Sequence, residues 1–221
     1  MRTLVIIPAY NESANLKSLI KDINSHDYDY LIINDKSTDS TEELANDNGF
    51  NILNLTLNVG IAGVTRIGYK YARDNNYDCV ICIDGDGQHQ PKYVDKLIKE
   101  VENGYDYVVG SRYVEEKKPN SLRMFGSRLI CLMIRLKTGK MVYDPTSGMR
   151  ALSKNVFEEF AEEMNFYAEP DMLCYLIRKR KRVKEVQVEM LDRQEGTSYF
   201  INPFKSINYM LGVITSILLI R

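Results

Sequence analysis

The chain has 221 residues, 44% hydrophobic and 27% charged. That composition excludes wholesale disorder, and at this length about 70% of the unfolded surface can be buried without disulfide or metal staples. Lys and Arg (29) balance Asp and Glu (30) to a net charge of -1, which disfavours a nucleic-acid binder, because neutralising many phosphates takes a basic surface.

Strands are expected at residues 3–7, 30–34, 51–55, 79–83 and 107–109. Helices alternate with them over 13–24, 38–48 and 61–75, and a fourth begins at Pro91. Ser, Thr and Asp stand at the entry of the second helix as capping requires, and Pro91 takes the favoured first helical position. Short strands alternating with helices of about 10–15 residues predict βαβ units. The fold class is therefore α/β, a doubly wound, mostly parallel, Rossmann-like sheet. Ligands of such sheets bind beyond the carboxyl ends of the strands, which places the chemistry at residues 8–12, 35–39, 58–63, 84–88 and 111–113.

The second half loses this rhythm. Residues 115–120 form a charged loop, and a helix over 121–137 carries Arg123, Arg128 and Arg135. Another helix is expected over 170–182, ending in a basic run over 178–182, followed by a strand over 183–190. The run reads either as a solvated helix end or as a membrane-facing patch. No acidic residue follows Glu195, and residues 206–220 carry no charge. That stretch is shorter than the roughly 20 residues that span a bilayer. It reads as a C-terminal amphipathic, apolar helix lying at a membrane interface or binding a partner, with a core-packing terminal helix as the alternative. The chain thus divides into one domain over 1–202 and a helical tail over 203–221.

Four cysteines are scattered along the chain, and Met-Arg-Thr-Leu-Val opens no signal peptide, so a reducing, cytoplasmic setting is expected. Cys79 and Cys82 have the CxxC spacing but lie on a strand, where residues three apart face opposite sides. No second pair completes a tetrahedron, so they read as core thiols. His26 and His89 are too few for a His-rich metal site, and neither lies near a GxSxG elbow. No GxxxxGK[ST] phosphate loop occurs.

The strongest chemical signal is Asp84-Gly85-Asp86-Gly87-Gln88, directly after a buried strand. Two carboxylates at a strand end suit a hard cation, Gln88 offers a third oxygen, and the glycines let backbone approach a phosphate. An EF-hand is excluded because His89 stands where its invariant Gly belongs. A haloacid-type phosphatase would carry Thr at position 88. A polar turn between strand and helix is the plain structural alternative.

Other strand ends add to this signal: Pro8-Ala-Tyr10-Asn-Glu12, Ile33-Asn-Asp35, Asn58-Val-Gly-Ile-Ala-Gly63, Gly110-Ser-Arg112, Asp144-Pro-Thr-Ser-Gly148 and Arg193-Gln-Glu-Gly-Thr-Ser198. In this order and spacing they resemble the family-2 inverting glycosyltransferases of the GT-A fold. Within that family the chain is similar to the polyprenyl-phosphate, dolichyl-phosphate mannose type synthases, over residues 3–205. The resemblance implies that Pro8, Tyr10, Glu12, Ile33 and Asp35 contribute to nucleotide binding. Asp35 would read the donor base, and since a carboxylate accepts from a base N–H that uracil and guanine both offer, UDP- and GDP-linked donors stay open. Asp84, Asp86 and Gln88 match the metal site, with Gly85 between them, for Mg²⁺ or Mn²⁺ bridging the donor diphosphate. Arg112 matches the Gly-Ser-Arg arginine, Arg123 and Ser127 a pair near the acceptor phosphate, and Arg193 the arginine that closes over the donor. Asp86, Arg112, Arg123, Ser127 and Arg193 are thereby the expected catalytic set. Tyr199 stands where many relatives carry Lys, leaving Lys205 or no residue to supply that charge.

The implied reaction moves a sugar from a nucleotide-sugar to a polyprenyl phosphate, by a protein peripheral on the inner face of the cell membrane. The implied partners are these two substrates and the membrane surface, not nucleic acid. A small membrane protein or a second copy could also dock through the C-terminal helix. Two rivals remain. One uses a sugar hydroxyl acceptor in cell-surface polysaccharide synthesis, which needs a general base drawn from Asp144, Glu169 or Asp171. The other is a non-catalytic nucleotide-sugar-binding module.

Overall fold

The computed structural model describes residues 1–163, 169–191 and 203–219. Among them, β1 (Thr3–Ala9), β2 (Asp29–Asn34), β3 (Ile52–Asn54), β4 (Cys79–Cys82), β5 (Tyr107–Ser111), β6 (Arg150–Ser153) and β7 (Val183–Gln187) form one sheet in the order β3-β2-β1-β4-β6-β5-β7. It is parallel except for β6, which inserts antiparallel between β4 and β5. The helices are α1 (Ser13–Ser25), α2 (Thr41–Asp47), α3 (Gly60–Asp74), α4 (Val94–Glu102), α5 (Leu122–Thr138), α6 (Lys154–Glu162), α7 (Glu169–Arg178) and α8 (Pro203–Leu219).

Strand alternation sorts apolar side chains onto two faces. From β1, Leu4 and Ile6 join one core with α3, α5, α6, α7 and α8, while Val5, Ile7 and Ala9 join the other with α1 and α4. Cys82 and Cys79 divide between the same two cores, and all four cysteines are free and buried. Helix α3 approaches closely, since a Cβ on Gly68 would strike the Ile6 side chain.

Four elements differ from expectation. Helix α2 starts at Thr41, because residues 38 and 39 are drawn into a turn: the Asn11 side-chain oxygen accepts from the Thr38 and Asp39 amides, and Asp39 accepts from the Thr41 amide. Helix α7 ends at Arg178, where Arg180 adopts a φ of 59° and the basic run becomes the turn into β7. Strand β6 and helix α6 have no counterpart in the sequence reading.

Helix α8 packs one face against the core. Val213 and Ile217 are fully buried against α5 and α7, Lys137 Nζ donates to the Leu218 carbonyl at 2.8 Å, and the Ser216 hydroxyl donates to Asp171. The core-packing alternative thus describes this face, while Leu211, Leu218 and Leu219 are exposed on the other. Among the described residues no helix is long and apolar enough to cross a membrane. Ile217→Ala should lower the unfolding free energy by about 2–5 kcal/mol, and the neighbouring Leu218→Ala by within about 0.5 kcal/mol, both read from urea denaturation. Equal small losses would mean that α8 is not docked.

Candidate active site

The chain leaves β1 toward β2 on one side and is paired with β4 on the other, so the crevice of a doubly wound sheet opens at their carboxyl ends. A cleft of about 280 Å³ lies there, lined by Pro8, Ala9, Tyr10, Glu12, Asp35, Ile61, Val64, Asp84, Gly85 and Asp86. The strand-end segments are stitched to one another. The Asn11 amide donates to Ser37 Oγ, the Glu12 amide to Thr41 Oγ1 and the Ser13 amide to the Asp39 carboxylate. The Gly85 backbone lies against Pro8, where a Cβ would come within 2.9 Å of the carbonyl oxygen.

Asp35 is buried, and its two carboxylate oxygens accept from the Val59 amide at 2.7 Å and the Gly60 amide at 2.9 Å. It caps α3, a helix distant in sequence, while still lining the cleft. Ile33 differs: it has no exposed surface and packs in the core with Leu31, so its side chain does not reach the cleft.

Asp84 and Asp86 face the cleft together. Desolvation by the cleft walls raises the Asp84 pKa above the usual carboxylate range; His89 opposes this and Asp86 adds to it. The Asp84 amide donates to His89 Nδ1 at 3.0 Å, which makes this buried histidine a support for the carboxylate loop. Across the cleft, a Cβ on Gly148 would fall on the Asp84 carboxylate. Asp86 is buried and accepts from the Gln88 amide at 3.0 Å, while Gln88 Nε2 donates to the Leu191 carbonyl at 3.1 Å. Gln88 thus lies at the threshold of residues 192–202, and Arg193 and Tyr199 lie outside the described residues, as does the side chain of Lys205.

The fit to a divalent cation rests on two carboxylates crowded into one partly desolvated cleft, an arrangement a hard cation relieves. Among the described residues no three His, Cys, Asp or Glu side chains converge to cage an ion. Mg²⁺ does not require such a cage, because it is commonly held by one or two carboxylates with substrate phosphates completing the shell.

Just after β5, Arg112 donates through its amide, Nε and Nη2 to Asp144, at 3.1, 2.8 and 2.8 Å. Asp144 is fully buried, and its own amide and that of Tyr143 donate to Glu185 at 2.7 Å. Ser127 is buried in α5 and accepts from Lys118 Nζ at 2.6 Å. Arg123 lies in the first turn of α5, its side chain outside the described residues.

Sequence reasoning missed Arg150, almost fully buried at the centre of the sheet and 2.8 Å from Glu169. Burial opposes ionisation of Glu169, but the guanidinium outweighs it and holds the carboxyl below its usual range. An arginine directly before the apolar pair Ala151-Leu152 was the available signal. Lys118 was also missed, although it stands in the charged loop just before the Arg123–Ser127 pair. Asp144→Asn should destabilise the protein by about 3 kcal/mol, since removing one partner strands a buried charge. Urea denaturation reads this directly, and a change under 1 kcal/mol would contradict the buried pair.

Comparison with known proteins completes the picture. Residues 4–161 match the family described as Glycosyl transferase family 2. The chain is 30% identical over 213 residues to the undecaprenyl-phosphate mannosyltransferase of Micrococcus luteus, covering 90% of this chain and 87% of that one. It is 31% identical over 212 residues to the dolichol-phosphate mannosyltransferase of Pyrococcus furiosus, covering 90% and 59%. Glucosyl-3-phosphoglycerate synthase from Mycobacterium tuberculosis, solved with Mn²⁺, uridine diphosphate and phosphoglyceric acid, superposes with a TM-score of 0.71 at 17% identity, covering 97% and 78%. That likeness is one of fold, the GT-A arrangement. The motif order, the switch-point cleft and the family match agree: the chain belongs to glycosyl transferase family 2.

Proposed function

We propose that this glycosyltransferase moves a sugar from a UDP- or GDP-linked donor to a polyprenyl phosphate at a membrane surface, with Mg²⁺ or Mn²⁺ held by Asp84, Asp86 and Gln88. The named mannosyltransferases of Micrococcus luteus and Pyrococcus furiosus support the acceptor class. The observation that carries it is the state of the second-half carboxylates. Asp144 is locked in the Arg112 fork, Glu169 pairs with Arg150, and Asp171 accepts from Ser216. A sugar hydroxyl would need one of them as general base; a lipid phosphate is already an anion and needs none.

In this reading Pro8, Tyr10, Glu12 and Asp35 hold the nucleotide, and Asp84 and Asp86 face its diphosphate. The metal would supply Lewis-acid neutralisation of the leaving diphosphate. Arg112, Arg123 and Ser127 orient the acceptor, whose phosphate oxygen attacks the anomeric carbon opposite the departing nucleoside diphosphate. The bond to the diphosphate breaks as the new one forms, and the configuration inverts. Arg193 would close over the donor.

The purified chain, incubated with a panel of nucleotide-sugars and a polyprenyl phosphate, should yield glycolipid detectable by mass spectrometry. Chelation should abolish transfer and Mg²⁺ or Mn²⁺ restore it. Asp84→Asn and Asp86→Asn should each lower kcat about a hundredfold or more, and Gly148→Ala should raise the metal concentration needed for activity by displacing Asp84. Full activity in excess chelator overturns the metal assignment. Transfer only to a sugar hydroxyl, lost in Glu169→Gln, would establish the polysaccharide reading, and no transfer from any donor the binding module.

The membrane surface rests on α5 and α8 together. Phe125, Leu132 and Leu136 of α5 are exposed beside Arg128 and Arg135, and Leu211, Leu218 and Leu219 of α8 are exposed as well. No acidic residue occurs from Lys117 to Tyr143 or within α8. An apolar, basic surface suits the inner, anionic face of a membrane. Deleting the tail would tear Val213 and Ile217 from the core, so Leu132→Glu with Leu136→Glu is the cleaner test. The folded variant should fail to float with anionic liposomes that carry the wild type. Equal flotation removes α5 from the membrane face, leaving a protein partner or a second copy as its occupant.

A further inference from the structure

The loop over residues 114–120 is held at both ends. Gln187 Oε1 accepts from the Val114 and Glu115 amides at 2.9 and 3.0 Å, and Arg128 Nη2 donates to the Lys118 carbonyl at 2.9 Å and to Asn120 Oδ1 at 3.1 Å. The effect is to turn one side chain inward. Lys117 and Pro119 are exposed, but Lys118 is partly buried, with Nζ donating to Ser127 Oγ at 2.6 Å and to Cys131 Sγ at 3.3 Å.

Lys118 Nζ also lies 5.3 Å from the centre of the Tyr113 ring, and Arg112 Cζ lies 5.2 Å from the same centre. Two cations therefore lie close to one aromatic ring. The contacts of the Lys118 ammonium are a hydroxyl, a thiol and a ring; among the described residues no carboxylate pairs with it. A partly desolvated cation without an anion is an unstable arrangement unless a ligand supplies the charge. Because Ser127 Oγ accepts from Lys118, its own proton points elsewhere. That proton and the remaining ammonium proton form two donors for one anion.

We propose that Lys118 binds the acceptor phosphate together with Ser127. The inference rests on the lipid-phosphate reading above and adds to it a cation that belongs to none of the motifs. The loop clamp sets the position of Nζ, and α5 sets that of the hydroxyl. The charge is a point charge on a flexible stem, which tolerates rotation of a tetrahedral phosphate better than a fixed fork does.

The test compares the wild type with Lys118→Met, which keeps the stem and removes the charge, and Lys118→Arg, which keeps the charge. Steady-state transfer is measured against polyprenyl phosphate and against nucleotide-sugar, and calorimetry titrates a soluble short-chain prenyl phosphate, the matching prenol and inorganic phosphate without donor. Lys118→Met should raise the KM for polyprenyl phosphate about tenfold or more, as expected for loss of a charge-assisted contact. The KM for nucleotide-sugar should change by less than about twofold, and Lys118→Arg should recover most of the acceptor affinity. Prenyl phosphate should bind in a Lys118-dependent manner, and the prenol should not. Inorganic phosphate competing equally well would place recognition in the phosphate alone, still at Lys118. An unchanged acceptor KM in folded Lys118→Met, or an equal rise in both KM values, overturns the assignment. Lys118-dependent prenyl phosphate binding without transfer would keep the site and sink the proposed reaction instead.

Discussion

Asp144 accepts three hydrogen bonds from Arg112 and hands its own amide to Glu185, joining the end of β5 and the middle of β7 to the segment that leads into β6. A buried pair of this kind contributes little net stability compared with apolar residues of the same volume. Its effect here is geometric. The same segment delivers Gly148 against Asp84, where any side chain would displace the carboxylate. One charge pair therefore anchors the segment that runs from Arg112's partner to the backbone beside Asp84.

The parallel part of the fold was legible because its strands are apolar runs ending in turn chemistry, a local signal. The cleft was legible for the same reason: Pro8, Asp35, Asp84 and Asp86 each end a strand, and the sheet brings those ends together. Strand β6 was not. Four residues opening on an arginine resemble no strand until Glu169 is brought beside Arg150, and that proximity exists only in the folded chain. Asp35 illustrates a different limit. Its capping bonds reach Val59 and Gly60, so no rule based on neighbouring residues assigns them. Ile33 lies away from the cleft because it is still inside the buried strand β2, whereas Asp35 stands just beyond the strand's end.

Helix α5 shows how one stretch of sequence serves three surroundings. Ile130 and Ile134 enter the core, Ser127 and Cys131 meet Lys118, and Leu132 and Leu136 face outward. Each pair is four residues apart, the spacing that aligns side chains on one stripe of a helix. Averaged over the whole helix these stripes blur, which is why the sequence shows only an apolar helix with scattered arginines. The absence of acid across 117–143 is the feature that survives averaging.

Strand β6 also dictates when the sheet can be finished. It stands between β4 and β5, which do not pair with each other, and residues 83–149 separate it from β4. During synthesis β4 can join β1 early, but its other edge stays open until residues 150–153 emerge. Cys79–Cys82 is a wholly buried apolar strand in the finished protein, and an open edge of that kind is a template for pairing with another chain. At about 5–20 residues per second, the nascent chain carries this edge for several seconds. The order in which strands leave the ribosome thus sets a window in which the β4 edge stands unpaired, and it closes when the antiparallel strand takes its place.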